Sequence, residues 1–95
     1  YLEDLIDSLV YGETWNRNQL SARDRSLATI AVTLAGYQSD QLRVHLQRGL
    51  DNGITVKEIS ELIAHVTLYS GFPTGVNASR MFANILKELG IPLPD

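Results

Sequence analysis

Histidine is the side chain that ordinarily exchanges a proton near neutral pH, and this chain has two, His45 and His65. On a helix, His45 shares one flank with Gly49, a turn later, and with Gln41 and Gln38, about one and two turns earlier. Such a polar seam beside an apolar stripe can line a pocket, with imidazole as acid or base, amides as orienting hydrogen bonders, and glycine permitting close approach of a helix or ligand. The same spacing also suits a half-buried histidine bonded to a backbone carbonyl. His65 has Glu61 four residues before it and Tyr69 four after. A carboxylate on that flank can fix the imidazole tautomer, and a phenol adds a donor. Glu58 lies two turns back on a nearby flank. An exposed Glu–His pair on an amphipathic helix is the plainer alternative.

Anionic ligands call for arginine. Arg23 and Arg25 stand where a helix should begin, beside free backbone N–H groups that favour anions. Arg17, Arg43 and Arg48 are further candidates, each equally suited to a surface or subunit salt bridge. The absence of cysteine excludes a disulfide framework, a thiolate metal site and thiol-based redox or nucleophilic chemistry by this chain. The two histidines stand twenty residues apart in no His-x-x-x-His or His-Glu-x-x-His spacing, so no metal site is expected. The stretch from Gly71 to Gly75 holds no serine in a strand–turn–helix context, which argues against a serine nucleophile.

The elements that must position these groups read as about five amphipathic helices. Leu2, Leu5, Ile6, Leu9 and Val10 recur at helical spacing, and Gly12 is expected to close that helix with a left-handed residue. Residues 13–20 lapse into a polar loop anchored by Trp15. Ser21 and Asp24 have capping-box spacing, and the apolar residues from Leu27 to Ala35 cover nearly the whole circumference of the next helix, predicting burial on most sides. Gly36 should end it. A third helix starts at Ser39 or Asp40, carries Leu42, Leu46 and Leu50, and stops at Asn52-Gly53. Thr55 and Glu58 form a capping box for a fourth, with Ile59, Leu62, Ile63 and Val66 inward and a stop near Ser70-Gly71. Pro73 fits the first turn of a fifth, which runs to Gly90 before an extended tail, Ile91-Pro92-Leu93-Pro94. No segment alternates with the period of a strand.

Ninety-five residues, 44% hydrophobic and 20% charged, fit one all-α domain over residues 1–95. A chain this size buries only roughly 60 to 65% of its unfolded surface, so helices apolar on several sides predict burial in a homo-oligomer. Net charge is −3, and the eight arginines and lysines are scattered, which argues against a nucleic-acid partner. No apolar run approaches the roughly 18 residues of a membrane span, and no secretory leader is read, so the expected location is cytoplasmic.

Several stretches, taken in order, resemble the carboxymuconolactone decarboxylase family of the wider alkylhydroperoxidase D-like group. They are Trp15-Asn16-Arg17, Leu20-Ser21-x-Arg23-Asp24-Arg25-Ser26-Leu27, Gln41-Leu42-x-x-His45, Asn52-Gly53-Ile54-Thr55 with Glu58-Ile59 and Glu61, and His65 through Tyr69-Ser70-Gly71-Phe72-Pro73. The resemblance covers roughly residues 13 to 85. It implies an all-helical subunit in a ring-like oligomer, commonly a hexamer made from three dimers, with pockets near subunit contacts. In the peroxidase-like branch a Cys-x-x-Cys pair precedes the helix-three histidine by seven and four residues. Gln38 and Gln41 occupy those positions here, so a thiol peroxidase is excluded.

The remaining branch is similar to enzymes that decarboxylate γ-carboxymuconolactone in aromatic-acid degradation without a cofactor. Loss of CO₂ leaves electron density to be delocalised into the lactone carbonyl, and a carbon must then be protonated. That requires a cationic clamp for carboxylates, a donor for the developing oxyanion and a proton source. The resemblance thus implies His45 as general acid, Arg23 or Arg25 as carboxylate binders, His65 or Tyr69 as orienting donors, and Gln38 and Gln41 beside the substrate. Two other readings stay open: a non-catalytic or accessory oligomeric member of the same fold, and an acid/base enzyme acting on another small acid.

Overall fold

A computed structural model describes residues 1–93; Pro94 and Asp95, the end of the expected tail, lie outside the described residues. Among those described, the chain is all-helical without strands. Helix α1 (Leu2–Leu5) runs directly into a π-helical segment (Ile6–Tyr11), and a short 3-10 turn follows (Thr14–Asn16). The bundle proper is α2 (Ala22–Ala35), α3 (Ser39–Asp51), α4 (Val56–Ser70) and α5 (Phe72–Leu89). Helix α2 packs on α3 along one side and on α4 along another, and α5 closes against α4, α3 and α2.

The cap residues set these boundaries. Ser21 Oγ accepts from the Asp24 N–H at 3.0 Å, and at Thr55 both halves of the capping box form. Such a cap satisfies helix-end N–H groups that would otherwise lack partners. Pro73 falls within the first turn of α5, and Gly90 ends that helix in the left-handed conformation (φ 71°). Gly36 ends α2 as expected, but neither it nor Gly12 is left-handed. Gly12 is right-handed (φ −76°) because the helix before it has widened to the π form. At the end of α2 it is Tyr37, not Gly36, that takes positive φ (42°). The Gln38 N–H then reaches back to the Thr33 carbonyl at 2.8 Å, which turns the chain into α3.

The core is one cluster in which Ile30 and Leu34 of α2, Leu42 and Leu46 of α3, Ile59 and Ile63 of α4, and Phe82, Ile85 and Leu86 of α5 meet. Within the single chain, α2 is fully buried only along Ser26, Ile30 and Leu34. Val32 is 72% exposed, so the all-round burial expected of α2 is not met within this chain. Gly49 brings α2 and α3 together: a Cβ there would stand 2.9 Å from Ile30 Cδ1 and 3.2 Å from Ile54 Cδ1.

Candidate functional site

Helix α3 carries His45 on its inward side, one turn before Gly49, and the close helix approach that Gly49 permits leaves the residue 8% exposed. Trp15 covers it. The indole and imidazole are nearly parallel, 17° apart, with ring centroids separated by 6.1 Å. Trp15 belongs to the 3-10 turn, which Asn16 ties back by donating from Nδ2 to the Tyr11 and Gly12 carbonyls, each at 3.1 Å. The Tyr11 ring lies 5.8 Å from Trp15. Arg48, a turn after His45, sits with its guanidinium 4.8 Å from the centre of the Tyr11 ring and donates to the phenol oxygen. A cation over an aromatic face is held by the ring quadrupole, which fixes Arg48 at the edge of this cluster.

The His45 Nδ1 atom is buried and has no hydrogen-bond partner. Burial, with the Arg48 charge adding to it, pushes the His45 imidazole below its ordinary value of 6.5; both effects disfavour the cation. Arg25 also has a buried nitrogen without a hydrogen-bond partner, its Nε, while its Nη2 donates to the Arg17 carbonyl at 3.2 Å. The N-terminal segment thus touches His45 through Trp15 and Arg25 through the Arg17 carbonyl.

Arg23 is paired elsewhere, with Glu58 of α4 and with Asp24 at 3.4 Å. The Thr55 backbone N–H and hydroxyl hold the Glu58 carboxyl below its ordinary value, burial opposes them, and Arg23 adds to the lowering. Arg23, Glu58, Glu61 and His65 line an open groove of about 340 Å³. His65 also lines a second groove, about 400 Å³, with Ala31, Val32 and Tyr69. The His65 and Tyr69 rings are 5.1 Å apart, and both residues are exposed. Gln38 and Gln41 are exposed too, Gln38 turned back to the Gly36 carbonyl at 3.5 Å.

The expected site residues thus fall into two groups. His45 and Arg25 each contact the N-terminal segment, through Trp15 and the Arg17 carbonyl, whereas Arg23, His65 and Tyr69 line the α2–α4 grooves. The glutamines join neither, so the polar seam expected along α3 divides into a buried half and an exposed half. The expectation of a satisfied histidine bonded to a carbonyl is not met at His45 Nδ1. Sequence reasoning missed Tyr11 and the covering role of Trp15, and it named Arg48 only as one arginine among several. The available signal was a lone tryptophan in a polar loop and an arginine three residues after the histidine. Among the described residues, no three His, Cys, Asp or Glu side chains are grouped to hold a metal ion.

The all-helical chain thus sets a buried histidine against Trp15, with Arg25 and Arg48 touching the same N-terminal segment. The chain matches the carboxymuconolactone decarboxylase family over residues 2–84 and belongs to it. It is 43% identical over 94% of its length to a 4-carboxymuconolactone decarboxylase of Acinetobacter baylyi, covering 66% of that protein. A nitrosuccinic acid decarboxylase of Metarhizium robertsii is 30% identical over 80% of the chain, which covers 53% of it. An uncharacterized 15.0 kDa protein of Paracoccus denitrificans is 34% identical over 82% of the chain, which covers 60% of it. The chain therefore spans between about half and two thirds of the length of these relatives.

Proposed function

We propose that this chain carries out cofactor-independent decarboxylation of a small lactone carboxylic acid resembling γ-carboxymuconolactone, in aromatic-acid degradation in the cytoplasm. The observation that supports it best is His45, interior and unpartnered at Nδ1, in a chain 43% identical to a named decarboxylase. The carboxylate leaves as CO₂, and its bonding electrons pass into the lactone carbonyl to give an enolate. The His45 imidazolium then gives its proton to the carbon and regains one from solvent. Burial makes that imidazolium scarcer but more acidic, which suits a proton donor.

Arg25 is the carboxylate binder nearest this chemistry, and Arg23 is the second. His65 and Tyr69 act as orienting donors from the α2–α4 groove of a neighbouring copy, in a homo-oligomer built as a hexamer of three dimers. That arrangement accounts for the separation of the two groups within one chain.

The test is turnover of γ-carboxymuconolactone by the purified protein, followed by CO₂ release and ultraviolet absorbance, beside His45→Gln. Turnover that falls at least a hundredfold in the variant supports the reading, on the general magnitude of acid catalysis by a positioned side chain. Full turnover in His45→Gln removes the proton-donor assignment. If the assembled protein leaves γ-carboxymuconolactone untouched, nitrosuccinic acid is the next substrate, since a relative is named for it.

A further inference from the structure

No residue from Tyr1 to Leu20 is buried. The N-terminal segment is held on the bundle by a few side-chain contacts: Trp15 on His45, Tyr11 with Arg48, and the Arg17 carbonyl with Arg25. Each contact falls on a polar or cationic side chain of the bundle. Two of the side chains that the segment touches each carry an interior nitrogen without a partner, Arg25 Nε and His45 Nδ1. A buried donor left unpaired is costly, and folded proteins rarely tolerate it unless a ligand or water completes the set.

We propose that the turn around Trp15 is a movable roof over a carboxylate site, that Trp15 positions His45, and that a small polycarboxylate binds beneath it by pairing with Arg25 and His45. The proposal rests on the reading of His45 as the proton-transfer residue and adds where the substrate enters and what it displaces. Arg25 offers its Nε–H, and His45 in the Nδ1–H form offers a second donor. One carboxylate can accept from both once the Trp15–His45 stack parts. Arg48 is held at the rim by the Tyr11 phenol and ring. When the turn lifts, its guanidinium is freed toward a second carboxylate. With the roof closed, the aromatic rings exclude water and keep His45 in a setting of low polarity, which strengthens its interaction with a bound anion.

Trp15 is the sole tryptophan, so its emission reports directly on the roof. The experiment titrates the full chain with tricarballylate, an unreactive small polycarboxylate, at constant ionic strength set with sodium chloride. A saturable change in Trp15 emission is expected, with affinity reduced at least tenfold in Arg25→Gln and in His45→Gln. Affinity should stay within twofold in Arg80→Gln, which alters an exposed arginine outside this site. Far-UV circular dichroism checks each fold, and Arg25→Lys, which keeps the charge but lacks Nε, substitutes if Arg25→Gln does not fold.

The positioning role is read by NMR titration of the His45 ring protons. Trp15→Ala should raise the midpoint toward the ordinary histidine value, and Trp15→Phe should restore it. An emission that does not respond to tricarballylate, a response undiminished without Arg25 Nε, or a His45 midpoint unmoved in Trp15→Ala overturns the proposal. These outcomes are separable from those of the turnover test. A response without turnover keeps the site and removes the decarboxylase reading; turnover without a response does the reverse.

Discussion

The indole of Trp15 lies nearly parallel to the imidazole of His45, 6.1 Å away between centroids, and joins the N-terminal turn to the third helix. Burial beneath that turn, with Arg48 nearby, lowers the pKa of His45 below 6.5. The consequence for stability has a definite sign. Between the folded-state value and the unfolded value near 6.5 the unfolded chain binds the proton and the folded chain does not, so stability is lost as pH falls. Wild type should therefore lose stability on acidification from about pH 6.5, by about 1.4 kcal/mol for each unit of depression, and His45→Gln should lack that part of the loss. Urea midpoints at pH 7.5 and 5.5 for both proteins measure it. An equal acid loss in the two would mean that His45 is not the group responsible.

The helices were legible in the sequence because their signals are local. Thr55 and Glu58 stand three apart and close a capping box, and Leu42 and Leu46 recur at the period that places them in the core. The site was legible only in part. His45 and Arg25 could be named from residue type and resemblance, but the contact that covers His45 joins residues 15 and 45, and no local pattern encodes which loop folds onto which helix. Tyr37 illustrates another limit: the glycine before it is the natural candidate for positive φ, yet the tyrosine takes it (φ 42°), because its position relative to the last α2 carbonyls sets the turn. The separation of His65 from His45 was equally hidden, since spacing along a helix says which flank a residue occupies and not what faces it.

Arg23 allows binding and stability to be told apart. Its pair with Glu58 is partly solvent-exposed, and ion pairs open to water contribute little to stability. Thr55 instead satisfies helix-end donors, and its loss should cost about 1 kcal/mol. Arg23→Gln should thus leave the urea midpoint almost unchanged, while Thr55→Ala shifts it clearly. If Arg23 binds a substrate carboxylate, Arg23→Gln should raise KM about tenfold or more, the usual scale for losing a charge-assisted hydrogen bond. A large stability loss in Arg23→Gln would show that the pair with Glu58 matters more than its exposure implies.

At Gly75 the fold tests itself. A Cβ there would run into Thr67, overlapping its Oγ1 and lying 2.6 Å from Cγ2 and 2.7 Å from Cβ. Thr67 is buried and its hydroxyl donates to the Ile63 carbonyl at 2.6 Å, so it has little freedom to retreat. Gly75→Ala should cost about 1 to 3 kcal/mol, the range for overpacking a core. Adding Thr67→Ala removes Oγ1 and Cγ2 and should recover part of that loss. Thermal melts of the two single variants and the double variant give the coupling, and strictly additive losses would argue against the close approach of Gly75 to Thr67.

Several large apolar residues are left uncovered on this chain. Leu68 is 73% and Phe72 66% exposed, and both line a groove of about 450 Å³ between α4 and α5 with Ala64 and Val76. Val32 lies apart from them, in the groove shared with His65. Uncovered apolar surface on two faces of a small chain is the arrangement expected when copies of it cover one another. Association then adds a concentration-dependent term to stability. The apparent Tm of the full chain should rise with each tenfold increase in protein concentration, and its mass in solution should exceed that of one chain. Phe72→Asp should lower that mass and flatten the concentration dependence, because a carboxylate in a desolvated contact has no partner to offset its burial. A monomer mass with a concentration-independent melt would sink the oligomer, and with it the supply of His65 and Tyr69 from a neighbouring copy. His45 beneath Trp15 would then have to act with Arg25 and Arg48 alone.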